Sequence, residues 1–552
     1  MTQISTVRGP LVPEVKLEED VYVTMRDGVK LAVDVYRPKT EGRYPVLLSM
    51  SPYIKECQLL PPALSHSIEA GNTNFFVPKG YVHVIVQIRG TVLSQGQYNF
   101  FDIKEQQDGY DLVEWCAQQP WCDGNVGMIG DSYFAMIQYL VAAQQPPHLK
   151  CIAPFDGATD IYRDFCYQGG IFFAWFIGTW GVGVLTTCAY PGPVEGKLPP
   201  ANFIADIGAN IEDGPYYWER SPITKIDKIN VPILNMVAHR GFLHSRGQLD
   251  GHAKIKTPKK LMVMAPSGLH QHELFITSPP LNEYMLKWYD YWLKGIDTGI
   301  MNEPPVIIYD SANGEWNYEN EYPLARTEWT KFYLRANPAG PATQPPYGLL
   351  STEPAESEEP DVICIEQAVG LVAEGKPVLA YSTPPLEKDI RVWGPFSANL
   401  YASTTTLDAY WFVKMTDIGP DGNATPVSLG HLKASFREVD ESKSGPGQPY
   451  HPFRNPVRPE PNKVYEYQIE MLPMFHTFKE GHRISMQIAS DDLWYQGQGR
   501  SIIAISEMLP APSKQTIYHD SVNPSHLLLP VIPDTPVTKP VEPPVSQIKW
   551  PV

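Results

Sequence analysis

The sequence predicts an α/β chain with a second, all-β domain behind it, and three observations carry that prediction. Short, continuous apolar runs alternate with helical patterns through the first part of the chain, as expected for parallel strands buried on both faces. A serine stands at the junction of one such run and a helix. Beyond Tyr322 the helical periodicity stops, and strand-like segments are separated by turns rich in Gly, Pro and Asp. With 552 residues the chain is three to four average domain-equivalents, roughly enough for two or three domains.

Val21 to Pro38 alternates apolar and polar residues on both sides of Asp27-Gly28, so the chain opens with an antiparallel hairpin. Strands are then expected at Pro45–Met50, Tyr81–Ile88, Val126–Ile129, Leu149–Pro154, Val231–Val237 and Leu261–Ala265. Helices fall between and after them, at Glu105–Gln118, Tyr133–Ala143 and Asn282–Lys294, which is the order of a doubly wound parallel sheet. The stretch between the strands ending near Phe155 and beginning at Val231 is too long for an ordinary crossover, so Asp160 to Asn230 is an inserted cap. Strands of the second domain are expected at Glu328–Leu334, Ala398–Ser403, Tyr410–Met415 and Ile484–Ile488, with an exposed loop at Pro338–Pro360.

Composition excludes several classes of function. A hydrophobic fraction of 43% with 11% aromatics supports large packed cores. Lys+Arg 44 against Asp+Glu 61 gives a net charge of −17 without a basic cluster, so no nucleic-acid partner is expected. The 7 cysteines lack CxxC spacing and predict neither a disulfide framework nor a metal site. Residues Ile171 to Tyr190 carry no charge over a length that could cross a bilayer, but three glycines, the absence of flanking Lys or Arg and the position between two strands of one sheet make them a buried lid or pocket wall. No membrane partner is expected. The N-terminus has no signal-peptide core, which points to a cytoplasmic protein.

The chemistry is expected at Gly124 to Ala143, GNVGMIGDSYFAMIQYLVAA. A short apolar strand runs into Gly130-Asp131-Ser132-Tyr133-Phe134-Ala135 and then a helix, the syntax of a nucleophile elbow. Ser132 on that sharp turn would expose its hydroxyl and aim the following amide, that of Tyr133, at an oxyanion. The usual second glycine is replaced by Phe134.

The wider text resembles the CocE/NonD group of α/β-hydrolases, which joins cocaine esterase and X-Pro dipeptidyl-peptidases. The resemblance runs through MRDGVKLAVDVYRP at Met25–Pro38, SPY at Ser51–Tyr53, IRGTVLSQGQ at Ile88–Gln97, the segment Asp108–Tyr133, PYYWERSP at Pro215–Pro222, YWLKG at Tyr291–Gly295, Val392–Gly422 and Tyr518–Pro533. It implies an α/β-hydrolase catalytic domain over residues 1–325 with a helical cap inserted at about 160–230, followed by a C-terminal jelly-roll β-sandwich over 326–552. It also implies Ser132 as nucleophile, the hydroxyl of Tyr53 with the amide of Tyr133 as the oxyanion hole, and His270 as base. His272, in the same LMVMAPSGLHQH stretch, is the fallback.

The acid departs from the pattern. Where the group carries a G-W-Y-D type turn, this chain reads Val237-Ala238-His239-Arg240-Gly241-Phe242, with no carboxylate. The leading substitute is Asp156, at the end of the neighbouring parallel strand, because the carboxyl ends of adjacent strands converge on one crevice. Asp250, or no acid at all, is the alternative. Arg246, in His244-Ser245-Arg246-Gly247, could pair with a carboxylate of a substrate or of the protein.

These residues predict a serine hydrolase that cleaves an ester, lactone or amide of a small molecule through an acyl-enzyme, with no cofactor and no metal. Phe172, Trp175 and Trp180 would line an apolar substrate pocket or form cap core. An acyltransferase or carbon-carbon bond hydrolase or cyclase using the same serine, and an inactive hydrolase-fold binding protein, are the competing readings. A homo-oligomer is compatible with the sequence.

Overall fold

The structure is a computed structural model, and it describes residues 9–60, 69–190, 192, 194–239, 243–264, 275, 277–336, 348–365, 378–490 and 513–534. Of residues 175, 364 and 365 only the backbone is described.

The first sheet contains β1 (Val15–Thr24), β2 (Lys30–Pro38), β3 (Tyr44–Ser51), β4 (Val82–Gln87), β5 (Cys122–Asp131) and β6 (Leu149–Phe155). Between β6 and the rest of the sheet the cap contributes only the two-residue strands β7 (Tyr167–Gln168) and β8 (Ile171–Phe172), which pair with each other. The sheet resumes with β9 (Ile233–Ala238), β10 (Lys259–Met264), β11 (Val306–Asp310) and β12 (Glu315–Glu319). Its order is β1-β2-β4-β3-β5-β6-β9-β10-β11-β12. The centre, from β4 to β11, is parallel throughout, whereas β1–β2, β2–β4 and β11–β12 are antiparallel. Every residue of β4 and β9 is buried, the polar His83, Gln87 and Asn235 included, as expected of strands covered on both faces. The hairpin turn falls where Asp27-Gly28 put it, with Gly28 at φ 85°. Strands β11 and β12 extend the first sheet beyond what the sequence suggested.

Six helices matter for the site: α1 (Ile103–Ala117), α2 (Tyr133–Ala143), α3 (Phe203–Ala209), α4 (Pro215–Arg220), α5 (Ser245–Lys254) and α6 (Pro279–Lys294). Helix α2 is buried along its whole length, packed between strands and α1. Its long, nearly featureless apolar pattern follows from that. The cap, expected to be helical, is more irregular. It has π-helical turns at Ile161–Cys166, Ile177–Gly181 and Leu185–Ala189, and the β7–β8 hairpin turns through Gly169 and Gly170, both at positive φ. No helix among the described residues is long and apolar enough to cross a membrane. In Ile171–Tyr190, Phe173, Ile177, Val184 and Cys188 are buried, while Val182 and Tyr190 are exposed. The six described cysteines are free thiols, five of them buried.

The remaining strands, β13 (Glu328–Ala336), β14 (Gly348–Ser351), β15 (Asp361–Ile365), β16 (Leu379–Ser382), β17 (Ile390–Thr404), β18 (Tyr410–Ile418), β19 (Ala424–Lys433), β20 (Tyr465–Phe478), β21 (Arg483–Ala489), β22 (Ser513–Tyr518) and β23 (His526–Ile532), form a C-terminal β domain. Their order is β15-β22-β17-β20-β19-β18-β21-β16-β14-β13-β23, and β23 also pairs with β17, so the array closes on itself. The long strand β17 serves three neighbours because β20 runs along one edge while β23 (at 391–399) and β22 (at 401–404) share the other in succession; its register shifts at Gly394-Pro395, where proline donates no ladder hydrogen bond. Within the expected loop Pro338–Pro360, residues 348–351 are instead a strand paired with β13 and β16. The β domain shares apolar core with the first sheet: Trp393, Phe475 and Ile532 cluster with Val237, Leu249, Val306 and Tyr322.

Candidate active site

Ser132 stands between β5 and α2 at φ 57°, ψ −115°, a backbone conformation that non-glycine residues adopt only where the surroundings enforce it. Those surroundings are visible. The Ser132 amide donates to the Phe155 carbonyl at 3.0 Å, the Asp131 amide to the Glu69 carbonyl at 2.9 Å, and the Ser132 carbonyl accepts from Met136 at 2.9 Å. Gly130, at φ 142°, lies so close to Phe134 that a Cβ there would be 2.2 Å from the Phe134 Cβ. The bare backbone at 130 therefore makes room for a phenylalanine where the usual motif has a second glycine.

The Ser132 Oγ lies 3.4 Å from Nε2 of His244. His244 is buried, occupies the first position before α5, and reaches the serine from the loop after β9. Apo nucleophile–base contacts are commonly this loose. The sequence offered His244 only as a neighbour of Arg246. Its partner is 112 positions away, and the two meet because the carboxyl ends of the parallel strands β5 and β9, one strand apart, lie on the same side of the sheet. His270 and His272 lie outside the described residues.

Asp156 follows β6 and is fully buried at φ 48°. Its Oδ1 accepts from the Ala238 amide at 2.7 Å, and its own amide donates to the Met236 carbonyl at 2.8 Å, so it clips the ends of β6 and β9 together. Asp250 lies on α5 in an ion pair with Lys254 at 2.7 Å. Arg246 pairs with carboxylates of the protein: its Nε donates to buried Asp164 at 2.7 Å, with Glu470 of the β domain at 3.7 Å.

Tyr53 follows β3 in the Ser-Pro-Tyr turn, buried edge-on against Tyr133 and Phe134 at ring separations of 6.1 and 6.0 Å. Burial, with the negative charge of Glu69 next, pushes its phenol well above the ordinary range, and the Trp180 hydrogen bond opposes them. Trp180 donates that hydrogen bond from its indole nitrogen to the Tyr53 hydroxyl at 2.9 Å. The Tyr133 ring stacks on Phe101 at 3.9 Å, and its hydroxyl donates to the buried Glu105 at 3.0 and 3.1 Å. Trp180 thus touches Tyr53 and Tyr133, the latter directly after Ser132 in the chain. Phe172 does not join them. It lines a cavity of about 430 Å³ at the contact of cap and β domain, with Tyr167, Lys433 and Phe436, whose walls include neither Ser132 nor Tyr53. The side chain of Trp175 lies outside the described residues.

Residues 27–267 match the X-Pro dipeptidyl-peptidase (S15) family, and residues 298–528 match the X-Pro dipeptidyl-peptidase C-terminal non-catalytic domain. The chain is 28% identical to the cocaine esterase of Rhodococcus sp. (strain MB1 Bresler) over 93% of its own length and 98% of that protein's. Its fold is shared with a CocE/NonD family hydrolase from Staphylococcus aureus, at 24% identity, a TM-score of 0.83 and 94% coverage of both chains. An aminopeptidase from a marine sediment Thaumarchaeota archaeon also shares it, at 18% identity, a TM-score of 0.72 and coverage of 96% and 99%. The fold and the strained serine define an α/β serine hydrolase with a C-terminal β domain. Within that class the chain is similar, over nearly its whole length, to the CocE/NonD, X-Pro dipeptidyl-peptidase-like group.

Proposed function

We propose that the protein hydrolyses a small-molecule ester, lactone or amide through an acyl-enzyme on Ser132, and the observation that carries this reading is the buried His244 imidazole at 3.4 Å from the Ser132 hydroxyl. In this reading the Ser132 Oγ attacks the substrate carbonyl while its proton passes to the imidazole, and the same proton goes to the departing alcohol or amine. Water, deprotonated by the imidazole, then cleaves the acyl-enzyme and restores the serine. The oxyanion is held by the Tyr53 hydroxyl and the Tyr133 amide. The name of the Rhodococcus relative favours ester chemistry, since its match spans nearly the whole of both chains.

The group's pattern favours a second assignment of the base, His270, because the loop after β10 is where that pattern carries its histidine. Asp156 is the proposed acid for either imidazole, its buried position at the ends of β6 and β9 being the support. We read residues 1–325 as the catalytic unit, with the cap at about 160–230, and 326–552 as a jelly-roll unit. The closed array of eleven strands supports that reading. A screen with short-chain aryl esters tests the function. Ser132→Ala is expected to abolish turnover and labelling by a fluorophosphonate probe, while activity within about tenfold of the parent would mean another nucleophile.

A further inference from the structure

We infer that Trp180 is a positioning residue: the indole N–H it donates to the Tyr53 oxygen turns the Tyr53 hydroxyl proton toward the oxyanion. The inference rests on the proposed oxyanion role of Tyr53 and extends it to the cap.

A phenol oxygen carries one proton and can accept at its lone pairs. Because Trp180 Nε1 donates to the Tyr53 oxygen at 2.9 Å, the tyrosine proton cannot lie along that line and must be directed elsewhere. An accepted hydrogen bond also makes the hydroxyl a better donor, as hydrogen bonds in a chain polarise one another. Both residues are buried. The phenol is held neutral by burial, which keeps its proton available as a donor over the working pH range.

The indole itself has little freedom. It stacks on Phe176 at 5.3 Å and 7°, and on Tyr133 at 6.2 Å and 27°, with Phe100 at 5.6 Å and Phe203 at 6.1 Å closing its other sides. Its backbone belongs to the π-helical turn Ile177–Gly181 of the cap. The donor therefore comes from the cap, whereas Tyr53 and Ser132 come from the central sheet. An indole serving only as pocket wall would need the ring but not this N–H.

The test is a mutant cycle on aryl-ester turnover. Trp180→Phe is expected to lower kcat by about tenfold, the worth of roughly one neutral hydrogen bond, with KM within about twofold. In a Tyr53→Phe background the same change should have no further effect on kcat. Replacing the indole by benzothiophene at position 180 removes the N–H and keeps the ring, so it should reproduce the kcat loss even if Trp180→Phe fails to fold. An unchanged kcat in the benzothiophene protein, or losses that add in the double variant, would overturn the inference while leaving Tyr53 as oxyanion donor. A Tyr53→Phe protein with parental kcat would sink the oxyanion reading, and this inference with it.

Discussion

At the scale of single residues, the two histidine assignments separate cleanly by experiment. General-base catalysis contributes about 10²- to 10⁴-fold, so His244→Asn is expected to lower kcat by that range if the imidazole at 3.4 Å takes the serine proton. If His270 is the base, His270→Asn carries that loss and His244→Asn changes kcat by no more than about tenfold, as expected of a neighbour that only contacts the nucleophile. Asp156→Asn offers a different readout. Since Asp156 Oδ1 accepts the Ala238 amide, asparagine can preserve the clip between β6 and β9, so thermal stability should hold while kcat falls by several orders of magnitude. A kcat unchanged in that variant would make Asp156 a structural clip. The strained serine turn was legible in the sequence because such a turn demands small residues in a fixed spacing, and Gly130 and Ser132 display it. His244 was not, because a histidine in a polar loop looks the same whether it faces water or a serine brought to it by topology.

At the scale of elements, the turn from β5 into α2 depends on a missing side chain. Gly130→Ala places a methyl 2.2 Å from the Phe134 Cβ, at a φ of 142° that L residues rarely adopt. The clash must displace α2 and with it Ser132, so the variant should lose most turnover and about 2–4 kcal/mol of stability, measured by denaturant unfolding. Helix α1 makes a pH prediction. Burial, and after it the charge of Asp102, pushes the Glu105 carboxyl up to about 8 from an ordinary 4.5. Between those values the folded protein keeps a proton that the unfolded chain has lost, so the contribution of Glu105 to stability declines as pH rises through that window. Glu105→Gln should therefore gain in thermal midpoint over the parent as pH is raised from about 5 to 8, and a constant difference would count against the shift. The core strands and helices of the first sheet were readable from apolar runs and 3.6-residue periodicity. The cap was not, because its π-helical turns and glycine hairpin follow neither period, and β11 and β12 were missed because they are short and follow the helix that closes the pattern.

At the scale of the whole molecule, cap and β domain are joined by buried charge. Arg163 bridges Asp160 at 2.9 Å and Asp213 at 2.7 Å, and donates to the His451 carbonyl of the β domain at 2.7 Å. Arg163→Met would leave two buried carboxylates without that partner and is expected to cost about 3–5 kcal/mol in unfolding, with the cap and the β domain losing hydrogen-exchange protection together. The closed β array has a further consequence, for synthesis on the ribosome. All strands of the first sheet lie between Val15 and Glu319, so that sheet can assemble while the β domain is still being translated. The β array cannot close until β23 emerges, because β23 is the stave between β13 and β17. Until then the cluster of Val237, Leu249 and Val306 with Trp393 and Phe475 lacks the cover that Ile532 of β23 provides. The nascent chain thus keeps this apolar face incompletely covered until its last strand is delivered.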